Sequence, residues 1–453
     1  MPGAIAAGHP STAEAGARVL AAGGNAVDAC IAAAFVAFVT EGPLAGPTGG
    51  GFFLVHEPSG RTTVLDCFFA VPARTLGAME EVVIDFADAG TQTFHVGEGS
   101  VAVPGLVHGL AEAHGRHASM PWGELLEPAI ALADKGFARD DARAFLHGIL
   151  TPILLRTAAG RRVYGDRQRV VTTELASTLK RLRDVGAAAV TELLPEYAAD
   201  LDTYQVSERL PLETNRLGRR LIATRLIATP WPSRGGRVVV DILERLSAAG
   251  NAASLHDEAR AIAFAYGSSA RGLLTGTTHV SVVDAAGMAA GLSMTLGSGS
   301  GVFRGGSQLN NMLGELDVIG TDRRPPGERL PSMMTPTLVL EEGQPRLVLG
   351  SAGSVRLAGA IAQVAWRVVA RGEPVEEAVG APRVHVDGEE LHLEGGWPDD
   401  EVAGLEAAGV WAVVRWTDRN LFFGGVSAVE VRADGSCAAA GDPRRGGHGV
   451  VVP

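Results

Sequence analysis

Polar and apolar positions follow two different periods along this chain, and the change from one to the other falls near residue 276. Ser11-Thr12-Ala13-Glu14 is a capping signal that opens an Ala/Leu/Val-rich helix ended by Gly23-Gly24. A second helix starts at about Val27. The run Ala26–Thr40 is the most apolar of the chain, yet it carries Asp28 and stops at Glu41-Gly42-Pro43. It falls short of the roughly 20 apolar residues that a membrane span needs, so it predicts a buried helix and no membrane partner. Phe52–Val55 and Thr62–Leu65 flank the turn Glu57-Pro58-Ser59-Gly60 and predict a hairpin. Helical periodicity then returns near Trp122–Lys135, Thr173–Asp184, Val238–Ala248 and Asp257–Tyr266.

Beyond Gly276 the β-rich runs His279–Val283, Gly291–Met294, Thr337–Leu340 and Arg346–Leu349 predict strands, interrupted by one helix at about Leu357–Arg371. Strand pairs followed by helices, without regular βαβ alternation, predict an α+β sandwich rather than a doubly wound sheet. No internal repeat stands out, and Asp322–Pro331 reads as an exposed loop.

Composition narrows the classes. A chain of 453 residues with 46% hydrophobic content can fill a large or two-lobed core and suits a compact enzyme. Lys plus Arg total 39 against 51 Asp plus Glu, a net charge of -12, which argues against nucleic acid as a partner. Cys30, Cys67 and Cys437 are scattered and lack C-x-x-C spacing, so they predict small core residues rather than a disulfide framework or a zinc site. The stretch Met1–Pro10 has no basic start followed by an apolar run, and a cytoplasmic location is the expectation.

Phosphate-loop, dinucleotide and zinc-protease motifs are missing. His108, His114 and His117 share a helix-like stretch without a carboxylate at matching spacing, so no metal is expected there. Gly297-Ser298-Gly299-Ser300-Gly301 could form an anion nest, although a tight loop is the simpler reading. The chemistry centres on Gly276-Thr277-Thr278-His279, placed directly before the β-rich run Val280–Asp284. A threonine hydroxyl is a weak nucleophile that needs an adjacent base. A cut just before it would supply one, because an α-amino group has an unperturbed pKa of roughly 7.7 to 8. Glycine before the threonine gives the backbone freedom for the hydroxyl to reach the preceding carbonyl. On these residues alone, a polar strand entry is the better explanation of the pattern.

The rest of the chain supplies the weight. Gly8-His9-Pro10 with Ala13-Glu14-Ala15-Gly16, Gly23-Gly24-Asn25-Ala26-Val27-Asp28-Ala29, Gly49-Gly50-Gly51-Phe52, Val101-Ala102-Val103-Pro104-Gly105, Thr277-Thr278-His279 through Asp284, Leu309-Asn310-Asn311 and Gly441-Asp442-Pro443-Arg444-Arg445-Gly446-Gly447 occur in an order and spacing that resembles the gamma-glutamyltranspeptidase family from end to end. The resemblance implies an N-terminal-nucleophile hydrolase whose precursor cuts itself between Gly276 and Thr277. A large subunit, 1–276, and a small one, 277–453, would stay intertwined in an αββα sandwich. It further implies Thr277 as the nucleophile, Thr295 as the second threonine bonded to it, and the backbone N–H groups of Gly353 and Ser354 as the oxyanion hole.

The chain departs from the family at its specificity residues. Phe68 stands where relatives that accept glutathione have an arginine for the substrate carboxylate, and Ser332-Met333-Met334 replaces a Ser-Ser-Met motif. Gly297 replaces a substrate-binding asparagine, while Glu315, in Asn311-Met312-Leu313-Gly314-Glu315, matches the acidic residue for the α-amino group. A clamp for a carboxylate has become an aromatic face. The expectation is therefore a cofactor-free, metal-free threonine hydrolase that uses water on a small non-glutathione substrate. It would open an amide, or a carbon–carbon bond next to a carbonyl, as in specialised-metabolite branches of the family. The alternatives are a true gamma-glutamyl transferase that holds the carboxylate with Arg356 or Arg304, and a non-catalytic ligand-binding relative.

Overall fold

The structure is a computed structural model that describes residues 1–85, 90–166, 168–216, 224–267 and 276–453. Two antiparallel sheets lie face to face. The first has seven strands, in the order His448–Val452, Gly3–Ala7, Thr278–Val283, Ala289–Thr295, Gly50–His56, Thr62–Cys67 and Ser207–Arg209. The second has six: Cys437–Gly441, Gly425–Val431, Gln344–Ala352, Thr337–Glu341, Thr224–Ala228 and Leu212–Thr214. Helix Ala26–Thr40 packs on the outer face of the first sheet, and helices Gly235–Ala249 and Leu357–Val369 cover the second. The architecture is the αββα sandwich that the resemblance implied.

Period-two patterning builds the layers. In the hairpin Gly50–Cys67, Phe53, Val55 and Leu65 belong to the core under the helices, while Phe52, Leu54 and Val64 join the core between the sheets. Strand Thr278–Val283 divides in the same way, with Val280 and Val282 toward the helices and Val283 toward the second sheet. Each sheet draws strands from both sides of Gly276, so a cut there would leave the two pieces sharing ladders along both sheets.

Helix Ala26–Thr40 is buried along its whole length, which accounts for its nearly continuous apolar sequence. Its one charged residue, Asp28, closes a capping box with Asn25 and accepts bonds from the backbone N–H of Ser119 and Met120 and from the Ser119 hydroxyl at 2.6 Å. No helix among the described residues is long and apolar enough to cross a membrane. The first helix runs Pro10–Ala21, two residues earlier than the Ser11 cap implied. Pro10 occupies its first turn, and His9 is the cap, accepting the Ser11 N–H at 3.0 Å.

The Ala- and Gly-rich strand Gly3–Ala7, the hairpin Glu80–Asp85 with Thr91–Val96, and the last three strands escaped the sequence reading. The cysteines are free and buried, and burial lifts the Cys67 thiol to about 12. His279 lies between the sheets, where Gly350 of the facing sheet leaves room for its ring. A Cβ on Gly350 would sit 2.3 Å from the imidazole Nδ1. Gly350→Ala is therefore expected to cost about 1–3 kcal/mol of stability, read as a lowered melting temperature. An unchanged melt would show that the sheets adjust freely at this point.

Candidate functional site

Thr277 immediately precedes strand Thr278–Val283 and is buried. Alternation puts Thr278 on the helix side, where its hydroxyl donates to Glu41 Oε2 at 2.6 Å. Glu41 ends the apolar helix and also accepts from Thr12 at 3.0 Å, with the Arg143 guanidinium 3.8 Å away. That buried network pins the strand from behind. On the other face, His279 is held by Ser293 at 2.8 Å and Ser281 at 2.9 Å, and burial drives its imidazole down to about 3. With both ring nitrogens engaged and the ring neutral, His279 is not placed to serve as a base for Thr277.

The peptide bond before Thr277 is polarised. The hydroxyl of Thr295 donates to the carbonyl oxygen of Gly276 and itself accepts the N–H of Gly297 at 2.8 Å. A donor on a carbonyl oxygen withdraws electron density from its carbon and stabilises the oxyanion that attack creates. Gly276 is required by crowding: an added Cβ would meet the Gly297 carbonyl oxygen at 2.3 Å. That reason differs from the backbone freedom expected from the sequence.

Gly353 and Ser354 turn the chain at the end of strand Gln344–Ala352. Gly353 has a φ of 128° and Ser354, unusually for a side-chain-bearing residue, 57°. Among the described residues no hydrogen bond takes up the N–H of either one, which leaves both donors to a ligand. Ser354 and Thr277 border one cleft of about 300 Å³. Thr277 also borders a second cavity, of about 500 Å³, on the side of Glu41, Arg143 and Arg445.

The cleft brings together Thr277, Thr295, Ser354, Phe68, Gly297, Glu315, Ser332 and Met333. Phe68 stacks on Phe52 at 5.3 Å and meets Phe69 edge-on. Asn311 stands just behind the cleft: its Oδ1 accepts the N–H groups of Ser298 and Gly299 at 2.7 and 3.0 Å. Glu315 Oε1 accepts the same Ser298 N–H at 2.7 Å. The loop at Gly297 thus has the anion-nest character considered for it, filled by the protein's own side chains. Gly297 has a φ of 67°, and a Cβ there would come within 2.2 Å of Asn311 Oδ1 and 3.0 Å of Glu315 Oε1. The absence of a side chain at Gly297 lets Asn311 and Glu315 converge on the Ser298 N–H. The Ser332 hydroxyl is turned to the Met334 N–H at 3.1 Å.

Among the described residues bordering the cleft, Glu315 alone carries an ionisable charge. Arg304 pairs with Glu196 at 2.7 Å and Glu98 at 3.5 Å. Arg356 donates to the Phe422 carbonyl at 2.6 Å and lies over the Phe422 ring. Neither is among the described residues that border the cleft. Of the three clustered histidines, His114 bonds the Met120 carbonyl, His117 approaches Glu57 and His108 packs beside Tyr204. Sequence reasoning missed Glu41 and Arg143. A glutamate directly after a fully apolar helix was the available signal, and it was read only as a stop.

With this geometry in place, comparison with known proteins defines the class: the fold is that of the N-terminal-nucleophile hydrolases. The chain matches the gamma-glutamyltranspeptidase family over residues 12–192 and 267–452, and it belongs to that family of enzymes. It is 27% identical to an acylase proenzyme of Pseudomonas sp. strain SE83, over 99% of this chain and 93% of the relative. It is 29% identical to the glutathione hydrolase proenzyme of Pseudomonas aeruginosa, over 99% and 94%. The cephalosporin acylase from Bacillus halodurans superposes with a TM-score of 0.83 at 20% identity, over 99% of this chain and 95% of that one, a likeness of fold.

Burial raises the Glu315 carboxyl to about 7, partly offset by the bonds from Ser298. An unfolded glutamate ionises near 4.3, so between about pH 4.5 and 7 the unfolded chain releases this proton while the folded one keeps it. Stability should fall through that window and level off above it. Glu315→Gln removes the effect, so its melting temperature relative to wild type should rise between about pH 5 and 7.5. A constant difference across that range would show that Glu315 is already ionised in the fold.

Proposed function

We propose that this enzyme is an autoprocessing threonine hydrolase that works through an acyl-enzyme on a small, non-glutathione substrate. The observation that carries the proposal is the Thr295 hydroxyl bonded to the Gly276 carbonyl, directly before a buried threonine. In processing, Thr277 Oγ attacks the Gly276 carbonyl carbon, the C–N bond breaks, and the acyl group moves from nitrogen to oxygen. That shift frees the Thr277 α-amine, and water then hydrolyses the ester, releasing the Thr277 hydroxyl and the Gly276 carboxylate. Subunits 1–276 and 277–453 result, held together by the strands they share. That their relatives are named proenzymes supports this reading.

In catalysis the new α-amine accepts the proton of its own hydroxyl, and Oγ adds to the substrate carbonyl. The N–H groups of Gly353 and Ser354 stabilise the oxyanion. Collapse breaks the bond to the leaving group, which takes the proton from the ammonium, and water completes the cycle. Phe68 and the methionines favour an acyl group without a carboxylate, while Glu315 favours one with a hydrogen-bond donor or amine. The scissile bond is an amide, or a carbon–carbon bond next to a carbonyl in a specialised-metabolite setting, as the sequence led us to expect.

Purified protein should give two bands on a denaturing gel, with the smaller beginning at Thr277 by mass spectrometry, and Thr277→Ala should give one. Thr295→Ala should slow processing by roughly 10²- to 10³-fold, followed as loss of the full-length band. A wild-type preparation that stays intact and inert after long incubation sinks the proposal. A processed enzyme should also turn over a γ-glutamyl anilide at least about 100-fold less efficiently in kcat/KM than an anilide with an uncharged acyl group. Equal efficiencies would return the γ-glutamyl reading.

A further inference from the structure

The cleft at Thr277 has a neighbour. Met333 borders both it and a second hollow of about 1130 Å³. Consecutive residues divide the two spaces: Val318 and Ser354 line the cleft where Asp317 and Val355 line the hollow. The hollow has largely apolar walls, and Trp231 on its rim is 59% exposed. Two arginines also border it. Arg237 is neutralised by Asp241, at 2.5 and 3.0 Å. Arg234 differs. One of its Nη atoms donates to the carbonyl of Val318, a cleft residue, and the charged neighbour that acts on it is a second cation, Arg324. Among the described residues no carboxylate pairs with it. A guanidinium held by one backbone acceptor has further donors for an anion.

We propose that this hollow receives the leaving part of the substrate, and that this part is a flat apolar group carrying a carboxylate, stacked on Trp231 and paired with Arg234. The inference rests on Thr277 as the nucleophile. Two arguments place the leaving part here rather than the acyl part. The acyl group must remain bound while water arrives, and the buried walls of Phe68, Met312 and Leu357 suit that. The part released first must reach solvent, and the hollow, with its exposed tryptophan, is the solvent-facing neighbour across Met333. Among the described residues, the guanidinium bordering the hollow without a carboxylate partner, that of Arg234, lies beyond Met333 from the cleft.

Binding can be read without turnover. Calorimetry with meta-aminobenzoate and with aniline on the purified protein should show Arg234→Gln weakening the carboxylate by about tenfold while leaving aniline unchanged. Trp231→Ala should weaken both several-fold, and Arg237→Gln neither. Equal affinity of wild type and Arg234→Gln for the carboxylate, or a loss that Arg237→Gln reproduces, overturns the assignment. In active enzyme, a carboxylate added to the anilide ring should lower KM in an Arg234-dependent way, whereas one added to the acyl group should not. The reverse pattern overturns the placement of the leaving part. Failure of the nucleophile reading would appear separately, as an uncleaved chain on the gel, and leaves the calorimetry interpretable.

Discussion

Everything at the site depends on the face-to-face packing of the strand that begins after Thr277 against the strand that ends before Gly353. Ser354 and Thr277 share a cleft because the two sheets lie close enough for a turn on one to reach a strand end on the other. His279 sets that spacing. Its ring fills the gap that Gly350 leaves, and its nitrogens are satisfied by Ser281 and Ser293, so a polar residue is buried without an open partner. Glu41, Thr12 and Thr278 fix the same strand from the helix side. The reactive end is thus held from both faces, which limits the motion available to the threonine.

The same arrangement explains how a chain could be cut at its most constrained point and remain folded. Strand Thr278–Val283 pairs with Gly3–Ala7 on one side and Ala289–Thr295 on the other, so its ladder does not rely on the peptide bond to Gly276. Both sheets mix strands from the two sides of that bond. Strain and crowding sit where chemistry is proposed: at Gly276, pressed against the Gly297 carbonyl, and at the left-handed Ser354.

The described side chains around the cleft are mostly apolar or uncharged. They include an aromatic stack at Phe68 and thioethers at Met333 and Met334. The glycine at 297 draws Asn311 and Glu315 together. Burial raises the carboxyl of Glu315 to about 7, against the bonds from Ser298 that lower it. The cleft is nearly uncharged at low pH and singly anionic at high pH.

Much of the fold was legible because long apolar-periodic helices and β-branched strands declare themselves locally. Ala26–Thr40, Trp122–Lys135 and Thr278–Val283 were recognisable from their own residues. Gly3–Ala7 was not, because alanine and glycine have little strand preference and that segment is a strand only through its two neighbours. The motif order identified the family and singled out Thr277, Thr295, Gly353 and Ser354, since short segments in fixed sequence are a one-dimensional property. The sequence could not show that Arg304 and Arg356 are committed elsewhere, that Glu41 braces the nucleophile strand, or that Gly297 makes room for two acceptors on one N–H. Those facts depend on distances between residues far apart in the chain, and only the packing of the two sheets and their helices determines such distances.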